Sequence, residues 1–172
     1  SPAHREVFPE AVIGPESRAA MDFFTTTAGG RYLGTTVKGG ATGFGAKVFI
    51  IDDPYKDRTE ADSVTTRNHV WNGWFKPVVY TRLTQDSILI IMHTRWHEGD
   101  LTGQCLKELQ HEGWEVINLP ALAEDGDLMN RPPGAALVPS RFDEDALARI
   151  CLTMGGPDSR DWNALYRGRP RP

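Results

Sequence analysis

The feature that most constrains the fold is a short apolar segment that runs directly into two carboxylates. Residues 48–51 read VFII, and Asp52, Asp53 and Pro54 follow at once. A continuous apolar run is typical of a parallel strand covered on both faces, and proline ends a strand because it has no N–H to donate. The segment therefore predicts a buried strand over 48–53 whose acids emerge at its end.

Two acids at the exit of such a strand have two interpretations. In an open α/β sheet, ligands bind at the carboxyl ends of the strands, where a carboxylate can hold a magnesium ion that carries nucleotide phosphates. Under this interpretation the segment is a Walker B motif. The alternative is a strand that ends in an ordinary polar turn, and this segment alone does not separate the two.

A second apolar segment ends in the same abrupt way. Residues 88–92 are apolar throughout and lead into His93, Thr94 and Arg95. The pattern predicts a second buried strand over 87–94, again with polar side chains at its exit. Candidate functional residues therefore follow both strands.

His93 and His97 have the i, i+4 spacing of many metal-binding pairs. That spacing brings two ligands together on a helix, whereas this pair straddles the end of a strand, and the predicted helix begins only at about residue 98 or 100 and runs to 110. The spacing therefore argues against a zinc site.

The remaining signals alternate between strand and helix, which predicts an α/β protein with a parallel sheet flanked by helices. In the helix predicted over 64–79, the apolar side chains share one face and are expected to form core rather than to stack on a ligand. The expected elements are an edge strand within 8–13, a hairpin around Gly29 and Gly30, a loop over 57–63, the helix 64–79 capped by Ser63 and broken or kinked at its end by Pro77, a strand over 114–119, and a helical part over about 143–167 with helices from 143 to 154 and from 158 onward.

Four glycines fall within Gly39–Ala46, immediately before the first strand. Such a loop suggests a phosphate cradle, but the lysine and the serine or threonine of a P-loop do not follow it, and a strand comes next where a helix is required. We therefore favour a flexible turn. The sequence contains no GxxxxGK(S/T) motif anywhere, so a Walker A segment is missing.

Composition and charge exclude several classes of protein. The net charge of −4 argues against a domain that binds nucleic acid over its whole surface. Four arginines between 160 and 172 form either a solvated tail or a DNA contact. The longest apolar run, 88–92, is too short to cross a membrane, and no leader is visible, so we expect a cytoplasmic protein whose two cysteines are free thiols.

Several spaced motifs together resemble the large terminase subunit of tailed bacteriophages, the motor that packages DNA into the capsid. The resemblance extends from about Phe8 to the C-terminus, and the strand that leads into TRWH is its most specific part. The motifs occur in the order FGAKVFIIDDPYKDRTEADS, ILIIMHTRWHEGDLTG, WEVINLPALAE, GAALVPSRFDEDAL and DWNALYRGRP.

The resemblance implies a P-loop ATPase domain of the additional-strand type that uses ATP and Mg²⁺. Asp52 matches the Walker B aspartate that holds the metal. Asp53 matches the acid, often a glutamate, that activates the attacking water. Thr94, with His93 and Arg95 beside it, matches the motif that couples hydrolysis to DNA movement. Arg95 has an alternative role as a structural arginine paired with Asp52, Asp53 or Asp100.

The resemblance also implies partners and an incomplete domain. The partners are double-stranded DNA, the portal protein, the small terminase subunit and further copies in a homo-oligomeric motor in the host cytoplasm, without a membrane. Because Walker A is missing, we expect the second half of the ATPase domain, from Walker B onward, in a fragment or a truncated prophage product that is inactive alone. The alternative is a non-catalytic α/β module that docks to packaging proteins.

Overall fold

Two parallel strands and the helices on one side of them organise the protein. The structure, a computed structural model, describes residues 2–9, 11–13, 22–37, 39, 43 and 45–171. Its elements in chain order are α1 (Pro2–Val7), β1 (Phe23–Thr25), β2 (Arg31–Leu33), β3 (Ala46–Asp52), α2 (Arg58–Asp62), α3 (Val64–Asn68), a π-helix (His69–Val79), a 3₁₀ turn (Tyr80–Arg82), β4 (Leu83–Met92), α4 (Leu101–Glu108), a second 3₁₀ turn (Gln110–Glu112), α5 (Glu144–Thr153) and α6 (Arg160–Arg167).

Both predicted strands are present, and the structure shows that they are parallel neighbours. β3 pairs with β4 so that Ile50 lies opposite Ile90 and Asp52 lies opposite Met92. β4 begins earlier than predicted, at Leu83, and ends at Met92. The fold is thus α/β with a small parallel sheet and helices, which is compatible with an NTPase-like fold. The polar residues after Asp52 and Met92 lie beyond the strand ends, at one edge of the sheet.

The third strand predicted over 114–119 is wrong. Residues 113–120 belong to no helix or strand. Side-chain hydrogen bonds hold the segment instead, because the Trp114 indole donates to the Leu109 carbonyl and the Asn118 amide donates to the Arg167 carbonyl. The apolar side chains of Val116 and Ile117 are largely exposed rather than paired in a sheet. In the described part of the chain, β3 and β4 therefore form a sheet of two strands.

One face of this sheet packs on the main core. Phe49, Ile51, Leu89 and Ile91 point toward it, and Ile51 is buried. The apolar face predicted for the helix over 64–79 is confirmed as core. The helical side chains buried in this core are Val70, Trp71, Trp74, Phe75 and Val79 of the π-helix and Leu101 and Cys105 of α4.

The helix predicted over 64–79 is present but divided. Ser63 caps α3 as expected, with its hydroxyl accepting from the Thr66 N–H at 3.2 Å. From His69 the chain follows a π-helix, in which each N–H reaches the carbonyl five residues earlier, as Tyr80 does to Phe75. Pro77 does not break this helix; it lies two residues before the last helical residue.

The loop predicted over 57–63 is wrong as well. It contains the short helix α2, which begins because the Asp57 carboxylate accepts a hydrogen bond from the Glu60 N–H at 3.1 Å. α2 directly precedes α3, so the chain turns into helix soon after β3 ends.

The opposite face of the sheet has no cover among the described residues. Its side chains are 43–58 % exposed, and they are Val48, Ile50, Ile88, Ile90 and Met92. The prediction that both strands are buried is therefore correct for one face and wrong for the other.

The predicted C-terminal helical part is confirmed. Asp143 caps α5 and Ser159 caps α6, each by accepting a backbone N–H with its side chain. Leu147 on α5 and Trp162 on α6 pack with Ala136 in a second, smaller core. α6 begins at Arg160, two residues later than predicted.

Each of the four C-terminal arginines pairs with an acid of this chain, so the segment is not a free tail. Arg160 binds Asp62 at 2.8 Å, and Arg58 of α2 pairs in return with Asp161 of α6. Arg167 and Arg169 both bind Glu124 at 2.6 Å, and Arg171 binds Asp158 at 2.9 Å. These pairs fix α6 to α2 and to the loop that contains Glu124.

The N-terminal part contains the predicted hairpin. β1 and β2 are antiparallel, and Gly29 adopts a positive φ of 81° in the turn between them. The edge strand expected within 8–13 is reduced to one bridge between Ile13 and Thr26. Half of the glycine-rich segment lies outside the described residues, since positions 40–42 and 44 are not described.

Two further expectations concern the cysteines and the membrane. Cys105 and Cys151 are both free thiols, as predicted, and Cys105 is buried. Among the helices of the described residues, none is long and apolar enough to span a bilayer.

Candidate functional site

A cavity of about 410 Å³ lies at the carboxyl ends of β3 and β4. All four residues predicted for the site line it, so the structure brings the two strand exits together. The cavity is lined by Asp52, Asp53, Met92, His93, Thr94 and Arg95 on the side of the sheet, and by Asn118, Leu119, Ala164, Leu165, Tyr166 and Gly168 on the other.

The two acids differ in how they are held. Asp52 is the last residue of β3, and strand alternation places it on the uncovered face of the sheet, opposite Met92. Asp53 lies one residue beyond the strand, where its N–H donates to the Met92 carbonyl at 3.0 Å. The Asp53 carboxylate oxygen Oδ1 accepts a hydrogen bond from the Thr94 N–H at 3.2 Å. Asp53 is therefore fixed to the exit of the neighbouring strand, whereas the Asp52 carboxylate is exposed.

Asp53 adopts a left-handed backbone conformation, with φ of 42°. Aspartate and asparagine enter this region at lower cost than most other residues because their short side chains bond locally to the backbone. This conformation is a physical reason for an aspartate, rather than a glutamate, at this position.

His93 connects the site to α4. Its Nδ1 lies 2.9 Å from the Thr94 carbonyl oxygen, which can only accept, so Nδ1 carries the proton. Its Nε2 then accepts from the Thr102 hydroxyl at 2.7 Å. Burial lowers the pKa of His93 below its ordinary value, against the opposing influence of Asp100. The imidazole is therefore neutral near pH 7, and its two ring nitrogens connect the Thr94 carbonyl to the Thr102 hydroxyl.

Arg95 pairs with a buried carboxylate. Its Nε lies 2.9 Å from both oxygens of Asp100, whose side chain is fully buried. Asp100 also caps α4 by accepting from the Gly103 N–H at 3.0 Å. The structural pairing considered from the sequence is thus present, with Asp100 as the partner. Arg95 still lines the cavity, and its catalytic role stays a prediction.

The far wall of the cavity was not predicted from the sequence. It is the end of α6, held in place because the Asn118 amide donates to the Arg167 carbonyl at 2.9 Å and Ala121 N–H donates to the Tyr166 carbonyl at 2.7 Å. Gly168 ends α6 with a positive φ of 61°, and a side chain there would collide with Asn118. Glycine after a helical pattern signals a helix end, but not that this end faces the strand exits.

The metal-binding capacity of the site is limited to its acids. The described residues contain no group of three or more His, Cys, Asp or Glu side chains that could hold a metal ion. Both histidines of the i, i+4 pair are engaged in hydrogen bonds, since His97 Nδ1 accepts from the Gly99 N–H at 2.8 Å. One or two carboxylates are nevertheless what Mg²⁺ requires when phosphates and waters complete its shell. Asp52 and Asp53 fit that pattern.

Comparison with known protein families identifies a match. A family model described as terminase large subunit, T4likevirus-type, N-terminal, matches residues 13–157. A search of curated proteins found none that matches. The matched range includes both strand exits, whereas the end of α6 that forms the far wall of the cavity lies beyond it.

Proposed function

The chain belongs to the terminase large subunit family, T4-like type and N-terminal region, and from this premise we propose that it supplies the hydrolytic half of an ATP-driven DNA-packaging motor. Family membership supports a role in phage DNA packaging. The observation that carries the finer proposal is the cavity at the strand exits, where Asp52, Asp53, Thr94 and Arg95 line one wall.

The two acids have separate roles in this proposal. Bound Mg²⁺ and ATP supply the charge neutralisation and the phosphoryl group, and Asp52, exposed at the end of β3, holds the metal. Asp53 orients the attacking water and accepts its proton. Its Oδ1 is held by the Thr94 N–H, and its Oδ2 has no hydrogen-bond partner among the described residues, so Oδ2 is available as the base.

Thr94 is placed to report the state of the site to the rest of the molecule. Its N–H binds Asp53, and its carbonyl binds His93, which in turn bonds to Thr102 of α4. A continuous series of hydrogen bonds therefore connects Asp53 in the cavity to α4. This connection supports the proposal that Thr94 couples hydrolysis to DNA movement, with Arg95 stabilising phosphate charge from its fixed position on Asp100.

The partners follow from the family assignment and are part of the proposal. They are double-stranded DNA, the portal protein, the small terminase subunit and other copies of the motor subunit in the host cytoplasm. The phosphate-binding Walker A loop is also required, and no GxxxxGK(S/T) motif occurs in this sequence.

A second candidate function is a non-catalytic α/β module that docks to packaging proteins. The observation in its favour is the uncovered apolar face of the sheet, because such faces mark interaction surfaces.

The test is phosphate release by a packaging motor that contains this chain and a Walker A segment. Asp53→Asn retains the left-handed backbone and the shape of the side chain but removes the base, so we expect turnover to fall by roughly 10²–10⁴-fold while ATP binding stays within about twofold. Asp125→Asn, an exposed acid outside the cavity, is the matched control. Undiminished turnover in Asp53→Asn would refute the assignment.

The isolated chain provides the complementary measurement. We expect no ATP turnover from it, because nothing in its sequence supplies the phosphate loop. Turnover that disappears in Asp53→Asn would place a phosphate-binding loop of another kind within the chain itself.

A further inference from the structure

Arg95 and Arg131 are both paired with a buried aspartate, but they use their guanidinium groups differently. The aspartates are Asp100 and Asp127, whose side chains are 0 % and 1 % exposed. The arginine side chains are 19 % and 11 % exposed. Both guanidinium groups are thus largely removed from water, where an N–H without a partner is costly.

The guanidinium of Arg131 is fully bonded within the chain. Its Nε donates to Asp127 at 3.2 Å, and its Nη2 donates to the same carboxylate at 2.6 Å. Nη2 also donates to the Pro120 carbonyl at 2.9 Å, and Nη1 donates to the Ala135 carbonyl at 3.2 Å. Since each of the three nitrogens has a partner, the role of this arginine is to hold the loop around it.

Arg95, by contrast, is bonded through Nε alone. That nitrogen lies 2.9 Å from both carboxylate oxygens of Asp100, and neither Nη1 nor Nη2 has a hydrogen-bond partner among the described residues. The two Nη groups carry all but one of the N–H donors of a guanidinium. Because Arg95 lines the cavity at the strand exits, a ligand in the cavity can reach these donors. Their planar arrangement suits two oxygens of one phosphate.

Asp100 is itself held in place, so it can fix the arginine. Its backbone N–H donates to the His97 carbonyl at 3.0 Å, and its carboxylate caps α4 by accepting from the Gly103 N–H at 3.0 Å. A side chain at Gly103 would collide with the Glu98 carbonyl oxygen, so the first turn of α4 packs closely on the segment that precedes it. An arginine that is already held by Nε loses less rotamer freedom when its Nη groups bind a ligand.

We propose that Asp100 is a positioning residue, which holds Arg95 by Nε so that Nη1 and Nη2 bind phosphate oxygens of the nucleotide. The inference rests on the proposed ATPase function and adds to it the residue that orients the arginine. Asp100 is fully buried and acts through Arg95. Negative charge on the transferring phosphoryl group is stabilised by donors that are in place beforehand, so loss of this orientation lowers turnover more than ATP affinity.

The experiment is a double-mutant cycle, read as phosphate release by a packaging motor that contains this chain and a Walker A segment. Arg95→Ala should lower turnover by roughly 10³-fold, as for other arginines that act on a transferring phosphoryl group. Asp100→Asn should lower turnover by at least about 10-fold while ATP binding stays within about twofold, because the guanidinium is no longer held in place. In the Arg95→Ala background, Asp100→Asn should change turnover by less than about twofold.

Added methylguanidinium tests the contact between the two side chains directly. In Arg95→Ala the cation can bind beside Asp100 and return N–H donors to the cavity, so turnover should rise by at least about 10-fold. The concentration used is one that leaves the fold intact. The double variant Arg95→Ala/Asp100→Asn should not respond, because the carboxylate that holds the cation is gone. A purely structural role for Asp100 does not predict this difference.

The matched control is Asp127→Asn, which makes the same change in an aspartate–arginine pair outside the cavity. Its turnover should stay within about twofold of the parent, although the pair with Arg131 is weakened. Urea unfolding of each variant identifies conditions in which all of them are folded, and turnover is compared under those conditions.

Several results would overturn the proposal. Parent turnover in folded Asp100→Asn would do so, and so would an equal loss in Asp127→Asn. A further loss from Asp100→Asn in the absence of Arg95, or a methylguanidinium response that does not need Asp100, would mean that the carboxylate acts by another route. Asp53→Asn in the same assay separates this inference from the proposed function. If only Asp53→Asn lowers turnover, the positioning role is wrong; if neither variant lowers it, the hydrolytic role of the cavity is wrong.

Discussion

Ile50 and Ile51 are identical neighbours in one strand, yet the first is 57 % exposed and the second is 3 % exposed. Both faces of the sheet are apolar, and strand alternation assigns one isoleucine to each. What separates the faces is the cover, because the π-helix and α4 pack on the side of Ile51 only. The apolar side chains therefore make either face suitable for burial, and the placement of the helices decides which face is buried.

The candidate site includes residues from both the covered and the uncovered side of the sheet. Asp53, Thr94 and Arg95 are anchored toward the covered side through Met92, His93 and Asp100. Asp52 belongs to the uncovered face, and its exposed carboxylate has no hydrogen-bond partner among the described residues. The covered side therefore preorganises the acid proposed as the base, whereas the carboxylate of the proposed metal ligand is exposed to solvent.

The largest expected difference comes from the same substitution on either face. Ile51→Ala removes methylenes from a closed core and should lower the free energy of unfolding by about 3 kcal/mol, within the 2–5 kcal/mol range for such changes. Ile50→Ala should cost less than about 1 kcal/mol in the monomer, because its side chain is already half in water. Urea unfolding at low protein concentration measures both. Equal losses would mean that the uncovered face is covered in solution.

A second matched pair compares carboxylates instead of isoleucines. Asp100→Asn keeps the helix cap but removes the charge that binds Arg95, and it should destabilise the fold by about 2 kcal/mol. Asp52→Asn changes an exposed acid and should stay within about 0.5 kcal/mol. If the Asp100 variant unfolds at the urea concentration of the parent, the Arg95 pair contributes nothing to stability.

The third prediction uses pH to probe the covered side. Burial lowers the pKa of His93 below 6.5, and burial also lowers that of His97. As pH falls through 6.5, the unfolded chain takes up protons before the folded chain does, so the free energy of unfolding should decrease. His93→Gln should reduce this pH dependence.

For that measurement, His111→Gln is the control, because His111 is exposed on the second 3₁₀ turn. Asp53, Asp100 and Arg95 also act on the pKa of His93. Unfolding curves between pH 5 and 7.5 that coincide for the parent and His93→Gln would show that His93 is protonated equally in both states.

The smallest effect is expected at the exposed charges that join α2 to α6. Arg160→Ala removes the pair with Asp62, whose side chain is 37 % exposed, and should cost about 0.2–1 kcal/mol, decreasing with added salt. Arg149→Ala, which removes an exposed arginine on α5 with no ion pair among the described residues, should cost less. A loss as large as that of Ile51→Ala would mean that the charges, rather than the core, hold the two helices together.

The sequence alone determined the elements whose signals are local. The apolar runs predicted the two parallel strands, and their abrupt ends predicted which polar residues gather at one edge of the sheet. The capping residue Ser63 marked the start of a helix, since a short side chain that bonds to the nearby backbone needs no distant partner. That Asp53 and Thr94 lie beside each other required β3 and β4 to be neighbours in the sheet, which the structure shows.

Only the tertiary structure decided the features that depend on distant residues. The apolar segment 114–119 is a strand by composition, but its side chains bond to Leu109 and Arg167, which no local pattern reveals. Asp100, one of three aspartates compatible with Arg95, became its partner because α4 buries it beside the strand exit. The far wall of the cavity and the cover on one face of the sheet have the same origin. Both depend on where helices lie in space, and a strand with two apolar faces accepts a helix on either side.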